Sequence, residues 1–356
     1  MQRLIAVEEN IGETRAGVFE KGRLVELHVE RWSEAGTRAL ENEIYRGRVL
    51  SVEQSLNAAF IDLGRGKPGF LPFGKAGRPK GFHQGAAVGV RVAREAYAEK
   101  GPNLALEEVE PGEAPELVRE APPLAARLVK AFGEAEAVWA DEEEIDLEEA
   151  FEAALEPDAP VPGGGGLYIE TTRGMTTIDI DAGGRTAQGG AQALALALNI
   201  SAVKEAARQL RLRGLGGVIA IDCVHLRAQN DRKAVERELR QASRSDRARI
   251  DIAPMSQFCV LELARQRRGR SLAETVLDAS GRPTDETLAL AALRRLEREG
   301  IADRRRKLVL RAGARAHDWL EAAPFEWRAA LAERLGPRFE LQRAEGDPDY
   351  FEVKTR

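Results

Sequence analysis

Apolar and polar residues alternate in strand fashion through the first thirty-odd positions, over 3–7, 14–19 and 23–29, with Glu20-Lys21-Gly22 as a turn. That period of two predicts a three-stranded meander. Shorter apolar runs then recur at 44–50, 58–63, 69–72, 87–92 and 103–106, broken by glycine-rich turns. Short strands at this spacing predict a small five-stranded barrel. The pattern shifts toward helical spacing over 117–132 and 147–155, and Pro157, Pro160, Pro162 and Gly163 to Gly166 punctuate a boundary. Strand 176–181 follows. Apolar positions at Leu194, Leu198, Val203, Ala206 and Leu210 then predict a helix over 187–213, with Gly214 at its C-cap and a strand at 218–222. Such a βαβ unit makes two parallel strands whose C-terminal ends share one edge, where α/β sheets place their sites. Beyond it the pattern predicts a charged helix at 233–242, a strand at 250–252 and a strand or short helix at 258–265. An amphipathic helix at 284–299 leads into a small α+β module: strand 307–310, helices 317–320 and 327–334, strands 339–341 and 350–353.

The two strands of the βαβ unit run into carboxylates, Asp179 and Asp181 on the first and Asp222 on the second. Asp179 and Asp181 share a face because strand side chains alternate. With Asp222 they would form a cluster of three acids that repel one another unless a cation neutralises them. A single strand-end Asp is more often a cap or turn residue. The grouping favours Mg²⁺, which prefers hard oxygen ligands, keeps several waters and takes one or two protein carboxylates, and so suits a metal-activated phosphodiester reaction.

Composition narrows the alternatives. The 356 residues are 43% hydrophobic and 31% charged, enough for two or three domains of about 100–200 residues. No apolar run approaches the roughly 20 residues of a membrane span, and the N-terminus lacks a basic-then-apolar signal, so a soluble cytoplasmic protein is expected. Cys223 and Cys259, 36 positions apart, encode neither a disulfide framework nor a thiolate zinc site and are expected to be buried. Of four scattered histidines only His225 lies near an acid of interest. The net charge of −5 hides opposed blocks: 107–158 holds 18 acids and 3 bases, 203–270 holds 16 bases and 8 acids. The basic block surrounds Asp222, and its arginines at 208, 211, 213, 244, 247, 249, 265, 267, 268 and 270 are candidates for phosphate neutralisation, although many such residues only solvate helix faces.

Residues 42–72, NEIYRGRVLSVEQSLNAAFIDLGRGKPGFLP, resemble the S1-type OB-fold of the bacterial ribonuclease E/G family. TTIDID, RQLRLRGLGGVIAIDCVHL and DRARIDIAPMSQFCVLELARQRRGRSLAE resemble its catalytic domain in order and spacing. With the meander and the closing YFEVKTR, the likeness covers most of the chain apart from about 110–160. It implies a multidomain α+β and α/β chain: an RNase-H-like subdomain (1–37 plus 111–162, with an acidic insert) interrupted by the OB-fold barrel (38–110), a deoxyribonuclease-I-like α/β catalytic subdomain (163–275) and a small C-terminal α+β module (276–356). By motif, Asp179 and Asp222 would bind Mg²⁺, with Mn²⁺ able to substitute and no zinc. Asp181 stands where the family has an asparagine that holds the first aspartate, and His225 where it usually has an acid. Phe60, Phe70 and Lys100 match the family's RNA contacts on the barrel, and each Phe alternates with buried-type neighbours, which favours exposure. Arg208, Arg211, Arg213, Arg265 and Arg267 match its basic positions.

Two family features are missing. Thr275 to Gly281 replaces the C-P-x-C zinc link, so no zinc-linked dimer is expected, rather a monomer or weak oligomer. The 5′-monophosphate sensor has no counterpart between Lys100 and Gly163, and its replacement is acidic. The resemblance therefore implies a short Mg²⁺-dependent endoribonuclease that cuts single-stranded RNA in RNA processing or decay, leaves 5′-phosphate and 3′-hydroxyl ends, and ignores the 5′-end. The alternative is an RNA-binding or rRNA-maturation factor of the same fold that cleaves poorly or not at all. A DNA nuclease fits less well, since the S1-type barrel favours unpaired RNA.

Overall fold

Strands Arg3–Asn10 (β1), Glu13–Glu20 (β2) and Arg23–Arg31 (β3) form the meander that the alternation predicts. They appear in a computed structural model that describes residues 3–79, 81–184 and 190–355. Five further strands, Ile44–Glu53 (β4), Ala58–Asp62 (β5), Gly69–Pro72 (β6), Ala87–Arg94 (β7) and Asn103–Leu106 (β8), are the predicted barrel set. Their order β5-β6-β8-β7-β4 is closed by a second β4–β5 pairing. The result is a five-stranded β-barrel, consistent with an S1-like OB-fold. Its interior is filled by Val49, Ile61, Leu71, Val90, Val92 and Leu104. Gly69 is required there, because a Cβ would lie 2.4 Å from Leu104 Cδ1.

The helical spacing over 117–132 is only half realised. Strand Glu116–Arg119 (β9) extends the barrel sheet beside β4, and helix Leu124–Phe132 (α1) starts only after Pro122-Pro123. Those prolines hold the preceding residues extended, which breaks the apparent period. Strand Ala135–Trp139 (β10) adds to the meander, giving the order β10-β1-β2-β3, and helix Glu148–Leu155 (α2) follows.

The second large sheet holds Asp158–Pro160 (β11), Gly166–Thr171 (β12), Thr176–Asp181 (β13), Gly217–Asp222 (β14), Ile250–Ile252 (β15) and Val260–Arg265 (β16), in the order β11-β12-β13-β14-β16-β15. Helices Ala191–Leu212 (α3) and Gln229–Ala242 (α4) cover one face. The first residues of the predicted helix, 187–189, lie outside the described residues. β13 and β14 are parallel, as a βαβ unit requires, and the other pairings are antiparallel. Ala195, Leu198, Ala202, Ala206 and Leu210 of α3 pack on Ile178, Ile180, Ile219 and Ile221. Gly214 (φ 67°) ends α3 in a Schellman arrangement, its N–H donating to Arg211 C=O (3.1 Å) and that of Leu215 to Leu210 C=O (2.9 Å).

Helices Leu272–Val276 (α5) and Asp285–Ala302 (α6), strand Leu308–Ala312 (β17), helices Ala314–Glu321 (α7) and Trp327–Leu335 (α8), and strands Phe339–Arg343 (β18) and Phe351–Thr355 (β19) complete the chain. Thr284 caps α6 by accepting from the Thr287 N–H at 3.1 Å. By compactness the chain divides into one unit of Met1–Ala6, Gly17–Leu27 and Ala131–Leu272, and another of Val7–Ala16, His28–Lys130 and Ala273–Arg356. No helix among the described residues is long and apolar enough to cross a membrane.

Candidate catalytic site

Alternation along β13 turns Thr176, Ile178 and Ile180 into the core and leaves Asp179 and Asp181 exposed on the opposite face. β14 does the same with Ile219 and Ile221 inward and Asp222 outward. In the parallel register Asp179 is the direct partner of Asp222. Neighbouring strands lie about 4.8 Å apart, so the two carboxylates rise side by side. At about 5 Å, two like charges repel by about 1 to 3 kcal/mol for effective dielectrics between water and a protein surface. Among the described residues neither carboxylate has a hydrogen bond or an ion pair to relieve this. Two unpartnered hard oxygen donors on an open face, with room for water, fit a Mg²⁺-type cation.

The three-acid cluster expected from sequence is not formed. No three His, Cys, Asp or Glu side chains among the described residues come together as a metal group. Asp181 lies one strand alternation beyond Asp179, and its Oδ1 accepts the Gly183 N–H at 3.0 Å, a local turn contact. What the fold assembles is the Asp179–Asp222 pair.

The loop after Asp222 is held by residues that the sequence reading missed. Asn199, fully buried, donates from Nδ2 to Val224 C=O (2.7 Å) and accepts the Val224 N–H at Oδ1 (3.0 Å). Gln192 accepts the Arg227 N–H at 2.9 Å, and the Leu226 N–H points to Cys259 Sγ at 3.2 Å. The sequence signal for Asn199 was its place on the apolar stripe of α3, where a polar side chain must find a partner. His225 is exposed, with Nδ1 3.8 Å from Cys259 Sγ. Both cysteines are free and buried as expected. Burial, and then the neighbouring Cys259 and Asp222, push the Cys223 thiol up to about 12.

On the barrel, Phe60 and Phe70 are cross-strand partners and meet edge to face, centroids 5.8 Å apart. Both are half-buried, while Ala59, Ile61, Gly69 and Leu71 turn inward. Lys100 is exposed, and its Nζ and the Arg94 guanidinium lie 5.8 and 5.1 Å from the centre of the Tyr97 ring. Aromatic rings and cations are the side-chain types on which unpaired bases can stack.

The arginines require correction. Arg211, Arg213 and Arg265 are buried and engaged inside the protein. Arg211 pairs with Glu20 and Glu26, both at 3.1 Å. Arg213 donates to Gln209 Oε1 and Glu156 C=O. Arg265 grips Asp246 through Nε (2.7 Å) and Nη2 (3.1 Å) and Leu215 C=O through Nη1 (2.6 Å). Arg208 binds Glu205 and the Leu24 carbonyl. Phosphate contact would require breaking these internal pairs. Arg267 is half-buried, its stem against Gly216. Among the described residues the outward positions of β12, β13, β14 and β16 include no Lys or Arg; they present Tyr168, Glu170, Thr177, Asp179, Asp181, Val218, Ala220, Asp222, Val260, Glu262 and Ala264.

The family model described as Ribonuclease E/G family matches residues 74–268, more than half of the chain. Ribonuclease E of Escherichia coli (strain K12) is 39% identical over 164 residues, covering 44% of this chain and 16% of that protein. Ribonuclease E of Haemophilus influenzae is 38% identical over 164 residues, 44% of this chain and 18% of the relative. A chloroplastic ribonuclease E/G-like protein of Arabidopsis thaliana is 32% identical over 124 residues, 34% and 12% of the two chains. The matched part is thus less than a fifth of the length of each of these relatives. With the family match spanning the barrel's later strands and the whole βαβ unit, the chain belongs to the ribonuclease E/G family.

Proposed function

We propose that the chain is a divalent-metal-dependent endoribonuclease acting on single-stranded RNA in RNA processing or decay. The observation that carries this is the direct register of Asp179 with Asp222, both exposed and unpartnered among the described residues at the C-terminal edge of parallel strands. When bound there, Mg²⁺ supplies a Lewis acid for the phosphate and lowers the pKa of water. Asp179 and Asp222 hold it, and Asn199 and Gln192 fix the loop beside Asp222. Among the described residues the open-face positions of β12, β13, β14 and β16 include acids and no Lys or Arg, so a held cation gives the negatively charged backbone a reason to approach the carboxylate pair. Phe60 and Phe70 stack unpaired bases, with Lys100 meeting the backbone. Hydrolysis leaves 5′-phosphate and 3′-hydroxyl ends.

On this reading residues 163–275 act as the deoxyribonuclease-I-like catalytic subdomain and 38–110 as the S1-type OB-fold. Residues 1–37 with 111–162 form an RNase-H-like subdomain, and 276–356 a C-terminal module. The acidic segment 107–158 offers a terminal phosphate no charge complement, which supports 5′-end independence. A more than tenfold preference for 5′-monophosphate over 5′-hydroxyl RNA would count against that part.

The test is Asp222→Asn, which removes one carboxylate while keeping its shape. It should abolish Mg²⁺-dependent cleavage of a labelled single strand and leave RNA affinity largely intact. A second reading, an RNA-binding or rRNA-maturation factor, draws support from Asp181, which serves a turn instead of joining a metal group. Wild-type protein that binds the strand but never cuts it at any Mg²⁺ concentration would select that reading.

A further inference from the structure

We infer that Tyr168 is a stacking platform for the unpaired nucleobase next to the scissile phosphate. The inference rests on the reading of Asp179 and Asp222 as the hydrolytic pair. Strand register places five residues in one row across the sheet: Asp158, Tyr168, Asp179, Asp222 and Val260. Leu167 and Ile169 are buried, so alternation sends Tyr168 to the open face, where it is 41% exposed. At about 4.8 Å per strand, its Cα lies about 5 Å from that of Asp179 and about 10 Å from that of Asp222. The ring therefore stands directly beside the carboxylate pair.

Among the described residues no polar or ring contact accounts for this aromatic. Among the described residues its hydroxyl has no hydrogen-bond partner, and its ring meets no other ring or cation. Its row neighbours on either side, Asp158 and Asp179, are exposed carboxylates. Such a ring, flanked by acids, repels phosphate no less than its surroundings do, yet it offers the one broad apolar surface in the row before Asp222. The part of an RNA chain that suits it is a neutral, flat base, whose π-face stacks without regard to sequence. A base seated on Tyr168 fixes the adjoining phosphate over Asp179 and Asp222. Tyr168 is thus a substrate-positioning residue, and its exposure means that truncating it leaves the core intact.

The experiment uses the full chain, one single-stranded RNA with a mapped cut, and a series of the same RNA with one abasic residue at each position. Tyr168→Ala should lower kcat/KM on the intact RNA by about 5- to 150-fold, the loss of one base–aromatic stack. Tyr168→Phe should restore it to within about twofold. With the abasic residue beside the cut, wild type and Tyr168→Ala should become equal. The same comparison is read as equilibrium affinity in the Asp222→Asn background, which separates the two hypotheses. If wild type does not cut but affinity still shows Tyr168 coupled to one base, the hydrolase reading fails and the platform stands. Equal losses on intact and abasic RNAs, or no loss on either, overturn the platform whatever the cleavage result.

Discussion

Arg265 offers a sharp test, because sequence places it in a phosphate-binding series and structure places it in the core. Its side chain is 5% exposed and that of Asp246 2%, with two guanidinium–carboxylate contacts and a third bond to Leu215 C=O. Arg265→Met keeps much of the apolar stem but leaves Asp246 buried with, among the described residues, only the Ala248 N–H (2.7 Å) as a partner of its side chain. Removing one member of a buried pair costs about 3–5 kcal/mol. A domain holds only about 5–15 kcal/mol in total, so the melting temperature should fall by about 6–20 °C. Adding Asp246→Asn removes the stranded charge, keeps an acceptor for Ala248, and should recover a sizeable part of the loss. Urea unfolding followed by circular dichroism gives the stabilities, and fluorescence anisotropy of a labelled single strand gives affinity under native conditions. Affinity should stay within about twofold of wild type. A stability change within about 0.5 kcal/mol, the range of an ordinary surface substitution, together with a tenfold loss of affinity would refute the structural assignment.

Three further outcomes follow from the same geometry. Asn199→Ala strands the N–H and C=O of Val224, so it should cost about 1–3 kcal/mol and lower kcat for RNA cleavage more than it raises KM, measured by unfolding and steady-state kinetics. Burial opposes ionisation of Glu20, but Arg211 and then Arg3 outweigh it and hold its pKa below the ordinary 4.5. Its contribution to stability is therefore present above that value and lost as pH falls through the lowered one, and the gap in urea midpoint between wild type and Glu20→Gln should shrink in that acid range. Cys223, raised to about 12 by burial first, stays a neutral, shielded thiol, so native protein at about pH 8 should resist maleimide while urea-unfolded protein takes two labels by mass spectrometry.

The barrel was legible because each strand carries its own period of two and its own glycine punctuation, features that need no distant partner. The βαβ unit was legible for the same reason, down to Gly214, whose left-handed conformation is a local demand of the helix end. β12 was not. It follows directly on Gly163 to Gly166, and with only Leu167 and Ile169 turned inward its alternation is too short to stand out from the boundary. That omission hid Tyr168, since the importance of the residue lies in its register with Asp179 and not in any local pattern. Of the site, the two aspartates were readable as strand ends. Their pairing with each other to the exclusion of Asp181 depends on sheet register, which the sequence leaves open by one alternation.

The arginines show why a linear tally of charge misleads in this chain. Residues 203–270 carry an excess of eight positive charges, yet Arg211 answers Glu20 and Glu26 from the other end of the sequence, and Arg247 also reaches Glu26 at 2.9 Å. Partners nearly two hundred positions away cannot enter a local count, and Glu20 and Glu26 offset two of those eight charges. Among the described residues, β13 and β14 themselves present Asp179, Asp181 and Asp222 and no Lys or Arg on that face. On the proposed reading, binding and cutting draw on different charges: a stacking surface with Lys100 on the barrel for affinity, and a carboxylate pair that would attract a phosphodiester through the cation it holds. A chelator should accordingly abolish cleavage while leaving most of the affinity in place, and a parallel loss of both would mean that the barrel contributes little to holding RNA.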